Sequence, residues 1–173
     1  MTFTLIVSVL LSGVSNSNAE GFNERLHGTY AVNTTITCNY PSGPTNDNTN
    51  TIHNHGLLTF YGDGFGVSNI TALSVNHNPR NDILSKPPIV FSGNFTYTVE
   101  SDDYFTINQN LSAPAVTISG VAQEGWIGRG GHTLVISDTE LNVETLTITT
   151  PGGQITKTRT CGRTGTAIKV SKQ

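Results

Sequence analysis

The chain has 173 residues, 12% of them charged, and a formal net charge of −3. Ordinary proteins carry about 25% charged residues, so a surface of salt-bridged helices is not expected, and no Lys/Arg cluster is present to hold nucleic-acid phosphates. The length suits one domain.

The N-terminal residues MTFTLIVSVLLSGVSNSNA hold an apolar run from Phe3 to Leu11, then a small polar stretch with Ser17 and Ala19 at the −3 and −1 positions. This is the pattern of a secretory signal peptide. Segment 1–19 is expected to be removed and 20–173 to form the mature domain. The apolar run is shorter than the ~20 residues of a membrane helix, and no later segment is long and apolar enough to span a bilayer. A buried N-terminal strand is the competing account. Export implies a secreted or periplasmic location. There the two cysteines, Cys38 and Cys161, are expected to pair. Their spacing fits neither a CxxC redox motif nor a zinc cluster. Asn33, Asn69, Asn94 and Asn110 head glycosylation sequons, which matter only in a glycosylating host.

Segments of about ten residues then alternate apolar and polar side chains between turn residues, the signature of antiparallel strands. Strands are predicted at 27–38, 52–61, 65–75, 88–99, 103–111, 114–123, 132–137, 140–150 and 153–161. Gly62-Asp63-Gly64, Ser101-Asp102-Asp103, Gly130-Gly131 and Pro151-Gly152-Gly153 supply the turns. The polar stretches 39–50 and 76–87 read as loops, and no segment has a helical period.

The period of two assigns faces. In 27–38 the apolar face is Tyr30, Val32, Ile36 and Cys38; in 88–99 it is Ile89, Phe91, Phe95, Tyr97 and Val99. A Cys38–Cys161 bond needs Cα atoms within about 7 Å. It therefore brings the first strand to a late one, as closure of an up-and-down barrel requires. The fold class is all-β: a small closed antiparallel β-barrel of about eight strands, with a two-sheet β-sandwich as the alternative.

If Pro151-Gly152 makes a two-residue turn, Glu144 stands opposite Arg159, Leu146 opposite Lys157 and Ile148 opposite Ile155. A disulfide between like faces turns this whole set inward. Glu144 and Arg159 then form a polar anchor, or an acid/base pair, on a partly apolar wall. The competing account is a structural pair near a barrel mouth, or an exterior pair if the turn has three residues, since a one-residue slip flips the whole set. His53 and His55 share one face and could chelate a metal with His77 or a carboxylate as a third ligand. They do so only in the register that turns Leu57 and Tyr61 inward. The other register faces Leu58, Phe60, Phe65 and Val67 inward and leaves both histidines in solvent. Trp126 either lines a pocket or closes one end of the core. No cofactor or catalytic fingerprint is present.

Three stretches belong together: LHGTYAV with Cys38 after it, LTFYGDGFG, and VETLTITTPGGQITKTRTC. With them the chain resembles bacterial exported lipocalin-like (calycin-type) β-barrel proteins. The resemblance implies an eight-stranded barrel. True lipocalins open with a Gly-x-Trp strand whose Trp packs on an Arg from the last strand. Here Gly28-Thr29-Tyr30 holds that place, with Arg159 or Arg163 as the candidate partner. Allene-oxide-cyclase-like barrels are a second neighbour by shape, with no motif of theirs to transfer.

Three functions follow as expectations. The first is a binding protein that holds a small apolar ligand against Tyr30, Phe91, Phe95, Tyr97, Trp126, Glu144 and Arg159, with Gly28, Gly93 and Gly120 leaving space. The second is a cyclase or isomerase with Glu144 as acid/base and Arg159 in support. The third is a filled barrel that acts through its surface.

Overall fold

The computed structural model describes residues 20–42, 46–77 and 87–170. A short helix, α1 (Glu20–Asn23), leads into nine strands: β1 (His27–Ser42), β2 (Asn46–Tyr61), β3 (Phe65–His77), β4 (Ile89–Val99), β5 (Tyr104–Ala113), β6 (Val116–Ile127), β7 (Thr133–Ser137), β8 (Asn142–Thr150) and β9 (Gly153–Lys169). Every pairing is antiparallel. Neighbours follow chain order from β1 to β6, and β9 returns to β1 through a ladder from Tyr30↔Lys169 to Asn39↔Thr160. The sheet therefore closes on itself along that ladder.

β7 and β8 share one place in the ring, between β6 and β9. β7 pairs with the end of β6 and β8 with its start. Along β9 the two follow one another, from Ser137↔Thr164 to Asn142↔Cys161. Between those pairs, 138–141 on one strand oppose only 162 and 163 on the other. The surplus is a bulge. Counted this way, the nine strands form an eight-stranded barrel.

Strands run further than their apolar alternation suggested. The polar stretch 39–50, expected to be a loop, continues the β1–β2 ladder up to Ser42↔Asn46. Polar cross-strand bonds sustain it, such as Thr49 Oγ1 to Asn39 Oδ1 at 3.0 Å. Of the second expected loop, 76 and 77 belong to β3, and 78–86 lie outside the described residues. The last strand extends to Lys169, well past 161, and this extension makes most of the closing seam. The expected signal segment, 1–19, also lies outside the described residues.

One half of the barrel is solid. Tyr30, Phe60, Phe95 and Tyr97 meet edge-on or tilted, with Phe60 ring centroids 5.4, 5.1 and 5.0 Å from the other three. Leu26, Phe105, Ile107, Leu134 and Ile136 fill in around them. The β2–β3 register differs from both expectations: Phe60 pairs with Gly66 and Leu58 with Ser68, so Phe65 and Val67 point outward. Gly66 is required there. A Cβ on it would sit 2.2 Å from the Phe95 ring.

The segment before β1 plugs this end. Leu26 is buried in the cluster, and Asn23 Oδ1 accepts from Val99 N–H at 2.9 Å. Tyr97 ties the plug to the β2–β3 turn. Its hydroxyl lies 2.8 Å from Leu26 O and 3.2 Å from Asn23 O, and accepts from Gly62 N–H at 2.9 Å.

Candidate functional site

The other half of the barrel holds a cavity of about 140 Å3. A volume of about 150 Å3 admits a benzene-sized molecule. Its walls are apolar: Ile36, Ile52, Ala72, Ile89, Phe91, Leu111, Val116, Ile118, Val121, Leu146 and Ile148. One inward step deeper the residues turn polar. Asn54 follows Ile52, Gln109 lies below Leu111, and Gln123 follows Val121. A further step on β5 returns to buried Ile107 of the solid half. The lumen thus has a packed end, a polar middle layer and an apolar upper chamber.

Charged groups enter this layer from the seam. The hairpin pairs Glu144 with Arg159, as the two-residue turn predicted. Both point inward. Arg159 Nε donates to Glu144 Oε2 at 2.8 Å, and its Nη2 lies 2.7 Å from the same oxygen. Arg159 Nη1 also donates to the Tyr40 hydroxyl at 3.3 Å. The other carboxylate oxygen, Oε1, is paired with Arg163 Nη2. Arg163 Nη1 donates to Ala122 O at 2.9 Å and reaches Asp138 Oδ2 at 3.3 Å. All four charged side chains are at least 95% buried.

Asp138 gets there by continuing the inward row of Leu134 and Ile136 past the last β7–β9 pair. It stands opposite Arg163 in the same register, and its N–H bonds to Arg163 O at 3.0 Å. Burial pushes the Asp138 carboxyl above its usual range, against the pull of Arg163. Burial likewise draws the Arg163 guanidinium down, against Asp138. Two carboxylates and two guanidiniums cancel in charge, which is how ionised groups are retained in a wall.

The disulfide lies beside them. Cys38 and Cys161 are a directly opposed β1–β9 pair with Cα atoms 4.1 Å apart, and both are fully buried. Glu144 Oε2 is 3.4 Å from Cys161 Sγ. Glu144 and the two sulfurs cluster as metal ligands would. Sulfurs bonded to each other offer no thiolate, so the cluster is not a metal site.

Of the residues singled out from sequence, Phe91, Glu144 and Arg159 line the cavity. Tyr30, Phe95 and Tyr97 do not; they form the packed end. Tyr30 meets neither Arg159 nor Arg163: its hydroxyl donates to Gly131 O at 2.6 Å, and Lys169 Nζ lies 5.8 Å from its ring centroid. Trp126 is on the outer surface, 41% exposed, edge-on to Tyr104. His53 and His55 are exposed on the outer wall, where His53 Nδ1 meets Thr35 Oγ1 at 3.3 Å; the side chain of His77 lies outside the described residues. Ile155 and Lys157 share the inward parity of Arg159 yet are exposed. The β1 ladder stops at Thr160, so the hairpin tip has no β1 neighbour among the described residues. Gly28, Gly93 and Gly120 do not line the cavity either. Gly93 serves a close approach, since a Cβ there would sit 2.1 Å from Asn110 O.

Sequence reasoning missed Arg163, Asp138, Asn54, Gln109 and Gln123 as parts of this site. Arg163 continues the Arg159–Cys161 parity. Gln109 interrupts the inward row Phe105, Ile107, Leu111, and that single polar residue was its signal. Asp138 continues the inward parity of Leu134 and Ile136, but it lies one residue past the span 132–137 expected for that strand.

Comparison with protein-family models, with curated proteins and with solved structures gives no match to this chain. The eight-stranded antiparallel barrel is itself consistent with a lipocalin-like fold.

Proposed function

We propose that this protein binds one small, mostly apolar molecule in the open half of its barrel. The observation that supports this is the uneven filling of the lumen. One end is packed with interlocking aromatic rings, while the other keeps an apolar chamber with a few polar groups below it. Small-molecule sites have that composition. A barrel that acted only through its surface would have no reason to leave half its interior unfilled.

The enzyme reading is weaker. Glu144 was its acid/base candidate, yet both carboxylate oxygens are engaged by guanidinium groups. A base needs a free lone pair within reach of the substrate proton. We place the binding protein outside the cytoplasm, secreted or periplasmic. The apolar run near the N-terminus and the buried disulfide support that location.

Calorimetric titration with toluene tests the proposal. Saturable binding of one molecule per barrel is expected. Leu146→Trp, placed in the chamber wall, should weaken it about tenfold or more while the circular dichroism spectrum stays native. Absence of binding, or equal binding by the folded variant, would overturn the reading.

A further inference from the structure

Gln109 is 5% exposed, and neither its Oε1 nor its Nε2 has a hydrogen-bond partner among the described residues. Asn54, on a different wall, is 8% exposed, and its Oδ1 is equally without a partner. Arg163 Nε is a fourth such atom. All three side chains border the cavity.

Buried polar groups are almost always bonded, and each exception calls for a reason. The fold satisfies comparable groups elsewhere. Asn23 Oδ1 in the packed end takes the Val99 N–H, and Asn50 Oδ1 near the mouth takes the Ser74 hydroxyl at 2.9 Å. The unmet donors and acceptors gather in the polar layer under the apolar chamber. Gln109 offers one donor and one acceptor side by side, the complement of another carboxamide: two groups of this kind form a closed ring of two N–H···O bonds.

Charge narrows the choice. Glu144 and Asp138 balance Arg159 and Arg163, so an ionised head would leave water without meeting a net countercharge. We infer that the cavity selects a neutral carboxamide or lactam head. The head lies against Gln109, within the reach of Asn54, and an apolar tail runs up the chamber towards the mouth. This rests on the binding proposed above and specifies its ligand class.

The test uses the full-length mature protein with its disulfide intact. Calorimetry ranks hexanamide, methyl hexanoate, hexanoate at neutral pH, and toluene. Hexanamide should bind about tenfold or more tighter than the ester, which only accepts hydrogen bonds. Gln109→Met should erase that preference while toluene binding persists; if the variant does not fold, the wild-type ranking decides alone. Ester or toluene binding as tight as the amide would overturn the inference and leave the binding proposal standing. Tightest binding of hexanoate would do the same, in favour of an anionic head. Failure of all four probes would overturn both.

Discussion

Glu144 and Arg159 stand directly opposite each other across the last hairpin, joined by an N–H···O bond of 2.8 Å with no exposure of the carboxylate. Removing one member of such a pair strands its partner in the wall. Glu144→Gln would leave two buried guanidiniums facing Asp138 alone. The expected loss is about 3–5 kcal/mol, read as a lower urea midpoint at unchanged slope. Glu144→Leu combined with Arg159→Met should recover most of it. A loss below about 1 kcal/mol, the range of exposed pairs, would contradict the burial described.

The disulfide bridges residues 123 positions apart, so its loop takes in most of the domain. Cross-linking a loop of roughly 100 residues restricts the unfolded chain by about 4–5 kcal/mol in the chain-entropy account. Replacing both Cys38 and Cys161 by Ala should lower stability by about 2–5 kcal/mol. The barrel should persist, because ten β1–β9 residue pairs set the seam independently of the bond. Loss of native circular dichroism at low urea would show that the bond, not the ladder, holds the register.

Tyr104 carries a pH signature. Its hydroxyl donates to Glu124 Oε2, and this bond, helped by burial, pushes the phenol up to about 12. The unfolded phenol titrates near about 10. The folded state therefore keeps a proton that the unfolded chain loses. Its stabilisation is whole below about pH 10 and fades as pH rises through about 12. In an absorbance titration of ionised tyrosine, Tyr104→Phe should remove a component near about 12, and Glu124→Ala should draw it down towards about 10. An unmoved midpoint in Glu124→Ala would exclude the hydrogen bond as the cause.

Trp126 reports on the outside only. Its ring packs on Tyr104 at 5.4 Å between centroids, away from the cavity lining. Trp126→Phe should leave toluene affinity unchanged within about twofold, and ligand should not shift the emission of wild-type Trp126. A ligand-induced shift would mean that the site extends across the wall.

The last hairpin was legible because Pro151-Gly152 fixed its register, and the register fixed which residues face each other. The disulfide added the sense of inward. Depth was not legible. A period of two says whether Phe91, Phe95 and Tyr97 point in, but not that the first reaches the chamber and the others the packed end. That depends on strand tilt and on how neighbours stagger. Length was also under-read where the apolar alternation lapses, at 39–42 and 46–50, since backbone pairing continues without a hydrophobic face. Trp126 lies beyond the span expected for its strand, past a register shift between β5 and β6, so parity gave no guide to its side.

The β1–β9 seam also has a consequence in time. β1 is made first and its closing partner last. Until β9 arrives, β1 can pair with β2 on one side and offers a bare edge on the other, with Val32 and Ile36 unshielded. Such edges recruit other chains. The molecule is therefore most prone to aggregate while unfinished, and any export or refolding scheme should shorten that wait. The polar outward row Asn33, Thr35 and Thr37 is what the waiting edge has to keep it in solution.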